Sequence, residues 1–135
     1  MKATRETLTA YILDAYGDEP DYPFQDNDAG PVFRHAGNRK WYAIILNAPA
    51  RAVGSEGDTP VPCVNVKCDP LLVGSLLQQP GFYRAWHMNH EKWITMVLDG
   101  SLELEQVTPL VDMSHTLTGQ KVKKKKAAKA TEDAL

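Results

Sequence analysis

The sequence predicts an α+β domain built as a two-layer sandwich. The expected order is α-β(3)-α-β(2)-α, with a mainly antiparallel five-stranded sheet and the helices on one face. Three observations carry this expectation. Two segments place apolar residues at helical spacing behind recognisable caps, at Thr4 and at Asp69-Pro70. Runs rich in aromatic and β-branched residues at 41–46, 61–67 and 93–98 are bounded by Gly, Pro, Asn and Asp. These runs cluster between the helices instead of alternating with them one by one, which favours antiparallel pairing.

In chain order, Thr4 is the expected cap of the first helix, and Leu8, Tyr11, Ile12 and Ala15 form its stripe. Gly17 ends it. Asp18-Glu19-Pro20-Asp21-Tyr22-Pro23 is then extended or turning, because each proline disfavours helix in the residue before it. Val32-Phe33-Arg34-His35 reads as a short strand, Ala36-Gly37-Asn38 as a turn, and Trp41 to Leu46 as a strong second strand. Pro49 to Pro60 shows no apolar period and reads as a loop, and Val61 to Lys67 is the third strand.

Asp69 caps the second helix with Pro70 at its first position, and Leu72, Val73, Leu76 and Leu77 form its expected buried stripe. Phe82 to His87 and Trp93 to Leu98 are two further strands joined by Met88 to Lys92, and Asp99-Gly100-Ser101 is a turn followed by a cap. The last helix contains Pro109, so it either kinks there or restarts with Thr108 as cap. Val107, Leu110, Val111, Ser114 and Leu117 line one of its faces.

A chain of 135 residues fits one domain, expected here over 1–120. With 43% apolar and 24% charged residues it has the composition of an ordinary globular protein. No apolar run approaches the roughly 18 residues of a membrane span, and the first residues lead straight into the amphipathic pattern. The expected setting is the cytoplasm, with no membrane partner and a monomeric state. Cys63 and Cys68 lack the second pair that a zinc site needs and are expected to be small, buried or half-buried free thiols. The segment 121–135 carries six lysines against Glu132 and Asp133, whereas the rest of the chain is net acidic. It reads as a disordered, lysine-rich tail.

Several short pieces together resemble the MmcQ/YjbR family of small bacterial proteins. They are Asp21-Tyr22-Pro23-Phe24, Pro31-Val32-Phe33-Arg34, Val64-Asn65-Val66-Lys67-Cys68-Asp69-Pro70, Pro80-Gly81, His87-Met88-Asn89, Trp93 and Leu98-Asp99-Gly100-Ser101. The match spans about residues 5–118. The resemblance implies a fold like that of secretion chaperones, with some likeness to CyaY-type (frataxin-type) sheets. It also implies DNA binding, through a double-wing likeness, and no catalytic residues. The chain departs from the family at His90-Glu91-Lys92, where basic residues are common.

A two-layer fold leaves one sheet face without helices. Alternation turns Val64, Val66, Ile94, Met96 and Leu98 inward, and Cys63, Asn65, Lys67, Trp93, Thr95 and Val97 outward. In the strand from Phe82, the outward set is either Phe82, Arg84 and Trp86 or Tyr83, Ala85 and His87; the cost of burying an unpaired guanidinium favours the first. Cations interleaved with aromatics suit single-stranded nucleic acid, because bases stack on rings and cations meet phosphates. The candidate contacts are therefore Asn65, Lys67, Arg84, Trp86, His87, Asn89, Lys92 and Trp93, with Lys123, Lys124, Lys125 and Lys126 of the tail. The same aromatics would equally stabilise a sheet with no ligand.

His87 and Asn89 read primarily as turn-forming residues. His87 and His90 lack further ligands nearby, so no metal or cofactor is expected. Catalytic motifs are absent: there is no Gly-rich phosphate loop, no His-Glu-x-x-His and no Gly-x-Ser-x-Gly. Asp26 and Asp28 lie in a polar loop where solvated carboxylates are expected. The expected function is non-enzymatic binding of DNA or single-stranded nucleic acid. A protein-interaction or chaperone-like module is the alternative, and a small-ligand binder or enzyme is the second.

Overall fold

The computed structural model describes residues 1–23 and 29–119. Phe24, Asp26, Asp28 and the lysine-rich tail, including Lys123 to Lys126, lie outside the described residues.

The elements run β1 (Lys2–Thr4), α1 (Arg5–Tyr16), β2 (Ala29–Arg34), β3 (Trp41–Pro49), a 3-10 turn (Ala50–Val53), β4 (Pro60–Lys67), α2 (Pro70–Leu76), β5 (Phe82–Arg84), β6 (Trp93–Val97), β7 (Asp99–Glu103) and α3 (Leu104–Thr118). Five strands form one antiparallel sheet in the order β2-β3-β4-β6-β5. This is the expected α+β sandwich, with one addition. The segment read as a turn and cap after Leu98 pairs instead with the first residues of the chain, so β1 and β7 form a separate antiparallel pair. Met1 completes the closure. Its C=O accepts from the Leu104 N–H at 2.7 Å, and its amino group lies 3.1 Å from Glu103 Oε1.

Local signals explain most of the helix ends. The Thr4 hydroxyl accepts from the Thr7 N–H, and Gly17 closes α1 in the left-handed conformation. Asp69 caps α2 by accepting from the Leu71 N–H. α3 is capped by Glu103, whose backbone N–H donates to Gln106 Oε1, and it runs through Pro109 as one helix instead of restarting at Thr108. The expected stripe of α2 is not buried. This short helix sits at the rim, Leu71 is 88% exposed, and Val73 and Leu76 are only half-buried.

Cross-strand register assigns the two faces of the sheet. Ile45, Val64, Met96 and Phe82 form one row, and Ala43, Val66 and Ile94 another. Both rows join Leu8 and Ile12 of α1 and Val107 and Val111 of α3 in the core. The opposite face carries Val32, Ile44, Asn65, Thr95 and Tyr83 in one row and Leu46, Cys63 and Val97 in the next. The β2–β3 register shifts twice, between Ala29 and Val32 and between Phe33 and Arg34. At the second shift Tyr42 turns to the helix side, where its ring meets Tyr16 and His115.

Candidate functional site

The helix-free face is not bare. β5 ends at Arg84, three residues earlier than the expected strand to His87. The chain then folds back over the sheet, and two buried side chains hold it there. The Trp86 N–H donates to Thr95 Oγ1 at 2.9 Å, and the Trp86 C=O accepts from Asn65 Nδ2 at 2.8 Å. Thr95 Oγ1 in turn donates to Asn65 Oδ1. Both backbone groups of Trp86 are thus satisfied by side chains that alternation had turned outward. Asn65 is 1% exposed and Thr95 is fully buried. Leaving either unpaired would cost about 1–3 kcal/mol, so the triad is a fixed anchor. The returning chain is secured at its end as well, where the Cys68 N–H donates to the Lys92 C=O at 2.7 Å.

On the same face, the 3-10 turn packs against Tyr83. Gly54, at φ +83°, closes that turn, and a Cβ there would lie 2.9 Å from the Tyr83 hydroxyl. Only glycine fits both the backbone and the space.

Between these two covers a groove of about 640 Å³ stays open along β3. Trp41 lines it at the start of the strand, and Ile44 and Leu46 line it further along. Trp86, His87 and Met88 contribute from the returning chain, and Arg51 and Asp58 from the loop after β3. Each tryptophan has a guanidinium near its ring. Arg51 Cζ lies 5.5 Å from the Trp86 centroid, and Arg34 Cζ lies 5.9 Å from the Trp41 centroid. Arg51 is also paired with Asp58, with Nε 2.8 Å from Oδ1, and Arg34 is paired with Asp21. The His87 ring packs edge-on against Trp86 at 4.4 Å, and its backbone lies at φ +64°, a strained position for a residue other than glycine.

The expected contact residues fall into separate places. Trp86 and His87 line the groove. Asn65 lies in its floor with its amide engaged, so it positions Trp86 instead of reaching a ligand. Arg84 is exposed, but it pairs with Ile94 and so belongs to the helix-side parity of the edge strand, not to the uncovered face as expected. Lys67 pairs with Trp93 at one end of the sheet, outside the groove lining. Asn89 shapes the turn: its side chain accepts from the Glu91 N–H, and its C=O accepts from the Trp93 N–H. Lys92 is exposed on that turn. Arg51, Asp58, Trp41 and Met88 were missed, because a loop without period and the first residue of a strand give no directional signal.

A second polar cluster sits on the helix side. His115 stacks on Tyr16 at 3.9 Å between ring centroids and lies 4.2 Å from the His35 ring. The Tyr42 hydroxyl donates to Asp18 at 2.7 Å, and the Tyr11 and Tyr16 hydroxyls donate to Asp112. Burial, then the carboxylates, push the Tyr16 and Tyr42 hydroxyls well above their ordinary range. Burial and the neighbouring His35 push His115 down. Cys63 and Cys68 are buried and free; burial pushes the Cys63 thiol up to about 12, which leaves it unreactive. Among the described residues no group of His, Cys, Asp and Glu has the arrangement of a metal site, and no helix is long and apolar enough to cross a membrane.

The architecture defines a class: a small α+β protein whose antiparallel sheet carries helices on one face and a groove on the other. The profile of the YjbR family matches residues 13–117, and the chain belongs to that family. It is 30% identical over 115 residues to the uncharacterised protein YyaQ of Bacillus subtilis (strain 168), covering 85% of this chain and 98% of that one. A crystal structure of a Pseudomonas syringae protein shares 40% identity with a TM-score of 0.80, covering 86% of this chain and 99% of the other. The Deinococcus radiodurans protein DR2400 matches at a TM-score of 0.64 and 22% identity, over 99% of this chain and 93% of its own, and shares the fold.

Proposed function

We propose that the protein is a non-catalytic binding module for single-stranded nucleic acid, and that the groove along β3 is its site. The observation that carries this reading is Trp86 in the wall of an apolar groove, with the Arg51 guanidinium of the same lining beside its ring. Bases stack on such rings whatever their sequence, and cations follow the backbone. The volume is that of a small-ligand site, so it suits a short stretch of strand. A duplex keeps its bases stacked on one another and offers no free ring face to Trp86. Binding is favoured over catalysis because the lining is dominated by apolar and aromatic side chains. Of His87, Asn89 and Trp93, only His87 lines the groove.

Fluorescence anisotropy with labelled single- and double-stranded oligonucleotides at two salt concentrations tests the reading. Full-length protein is expected to prefer the single strand. Trp86→Ala is expected to weaken it by about tenfold or more, the lower range for loss of a stacked base. Few cations line the groove, so the salt dependence is expected to be shallow, with log K falling against log salt by about 0.7 per phosphate engaged. No binding at low salt, or binding that disappears only when 121–135 is removed, overturns the reading.

A further inference from the structure

We propose that Asp58 is a built-in competitor that sets the specificity of the groove by occupying Arg51 where a backbone phosphate would bind; this rests on the reading of the groove as a single-strand site. Asp58 is held in place by the backbone of its loop. The Arg51 N–H donates to the Gly57 C=O at 2.9 Å, and the Ala50 N–H donates to the Thr59 C=O at 3.0 Å. The loop is thereby closed on itself, and the carboxylate is delivered to the guanidinium from seven residues away. Asp58 engages Arg51 through Nε, while the guanidinium remains over Trp86. Both side chains are largely exposed, at 60% and 79%, so the pair is weak enough to be exchanged.

The consequence is a filter. A free anion must displace or approach Asp58 and gains only the exchange of one carboxylate for another acceptor. A nucleotide gains stacking on Trp86 in addition to the phosphate contact. The carboxylate therefore levies the same penalty on every phosphate, through charge alone, and only a ligand that also stacks on Trp86 offsets it.

The test compares wild type, Asp58→Asn, Arg51→Ala and the double variant, using two labelled oligothymidylates of the same length. One has an ordinary phosphodiester backbone and the other an uncharged methylphosphonate backbone. Asp58→Asn is expected to tighten the charged oligomer by about two- to fivefold, in keeping with an exposed ion pair, and to leave the uncharged one unchanged. In the Arg51→Ala background the same change is expected to give a smaller gain. Charged-oligomer binding that Asp58→Asn leaves unchanged or weakens overturns this inference, and so does an equal gain for both oligomers; in each case the single-strand reading survives. Failure of every variant to bind either oligomer overturns both.

Discussion

His115 is the residue whose surroundings make the clearest statement about pH. Tyr16 and His35 lie against its ring, Tyr42 meets it edge-on, and Asp18 and Asp112 are the nearby carboxylates. Burial and the adjacent His35 outweigh those carboxylates, and the pKa falls below its ordinary 6.5. The unfolded chain therefore binds this proton more readily than the folded one, so stability rises with pH through that window. As pH falls from about 7, below the unfolded value and through the folded one, the contribution of His115 is lost. Chemical denaturation at pH 7.5 and pH 5.5 is expected to show lower stability at the acidic value. His115→Phe, which keeps an aromatic ring against Tyr16, is expected to flatten the difference. An unchanged pH dependence in that variant would rule His115 out as its source.

At the scale of elements, the chain from Ala85 to Lys92 behaves as a cover anchored by side chains from the sheet. Asn65→Ala removes the donor to the Trp86 C=O and the acceptor of the Thr95 hydroxyl together. It is expected to destabilise the protein by about 1–3 kcal/mol and to shift Trp86 toward a more solvated emission. Equilibrium denaturation followed by tryptophan fluorescence reads both effects; a neutral substitution would mean that the cover is held by other contacts. The same segment marks where sequence reading stops. Thr4, Gly17 and Asp69 were legible because caps are local, and Val64 and Val66 because strand alternation is. Asn65 was misread because a polar residue at an alternate position ordinarily faces water, and here a distant segment returns to cover it. The strand at Phe82 looked longer than it is for the same reason: the Trp86 N–H finds a side chain instead of continuing the ladder. Arg51 and Asp58 lie in a loop whose composition says nothing about what it faces.

Across the whole molecule, neighbouring strands of the five-stranded sheet come mostly from nearby parts of the chain, whereas β1 meets β7 from the opposite end of the domain. Lys2 pairs with Glu103, and the Met1 C=O holds the Leu104 N–H. Buried Leu102, in β7, lies against Gly81 at the entrance to β5. Joining segments so far apart carries a large loop-closure cost, so this pairing belongs late in folding, after the central strands have met. Contacts formed after the transition state govern how fast the native state is lost, not how fast it is reached. Leu102→Ala is accordingly expected to cost about 2–4 kcal/mol and to express nearly all of it as faster unfolding. Stopped-flow refolding at an almost unchanged rate would bear this out, and a matching loss in the folding rate would place the β1–β7 pairing in the nucleus. The short β1–β7 ribbon would then act as a latch on lifetime: it sets how long the assembled molecule lasts and has little influence on how it is assembled.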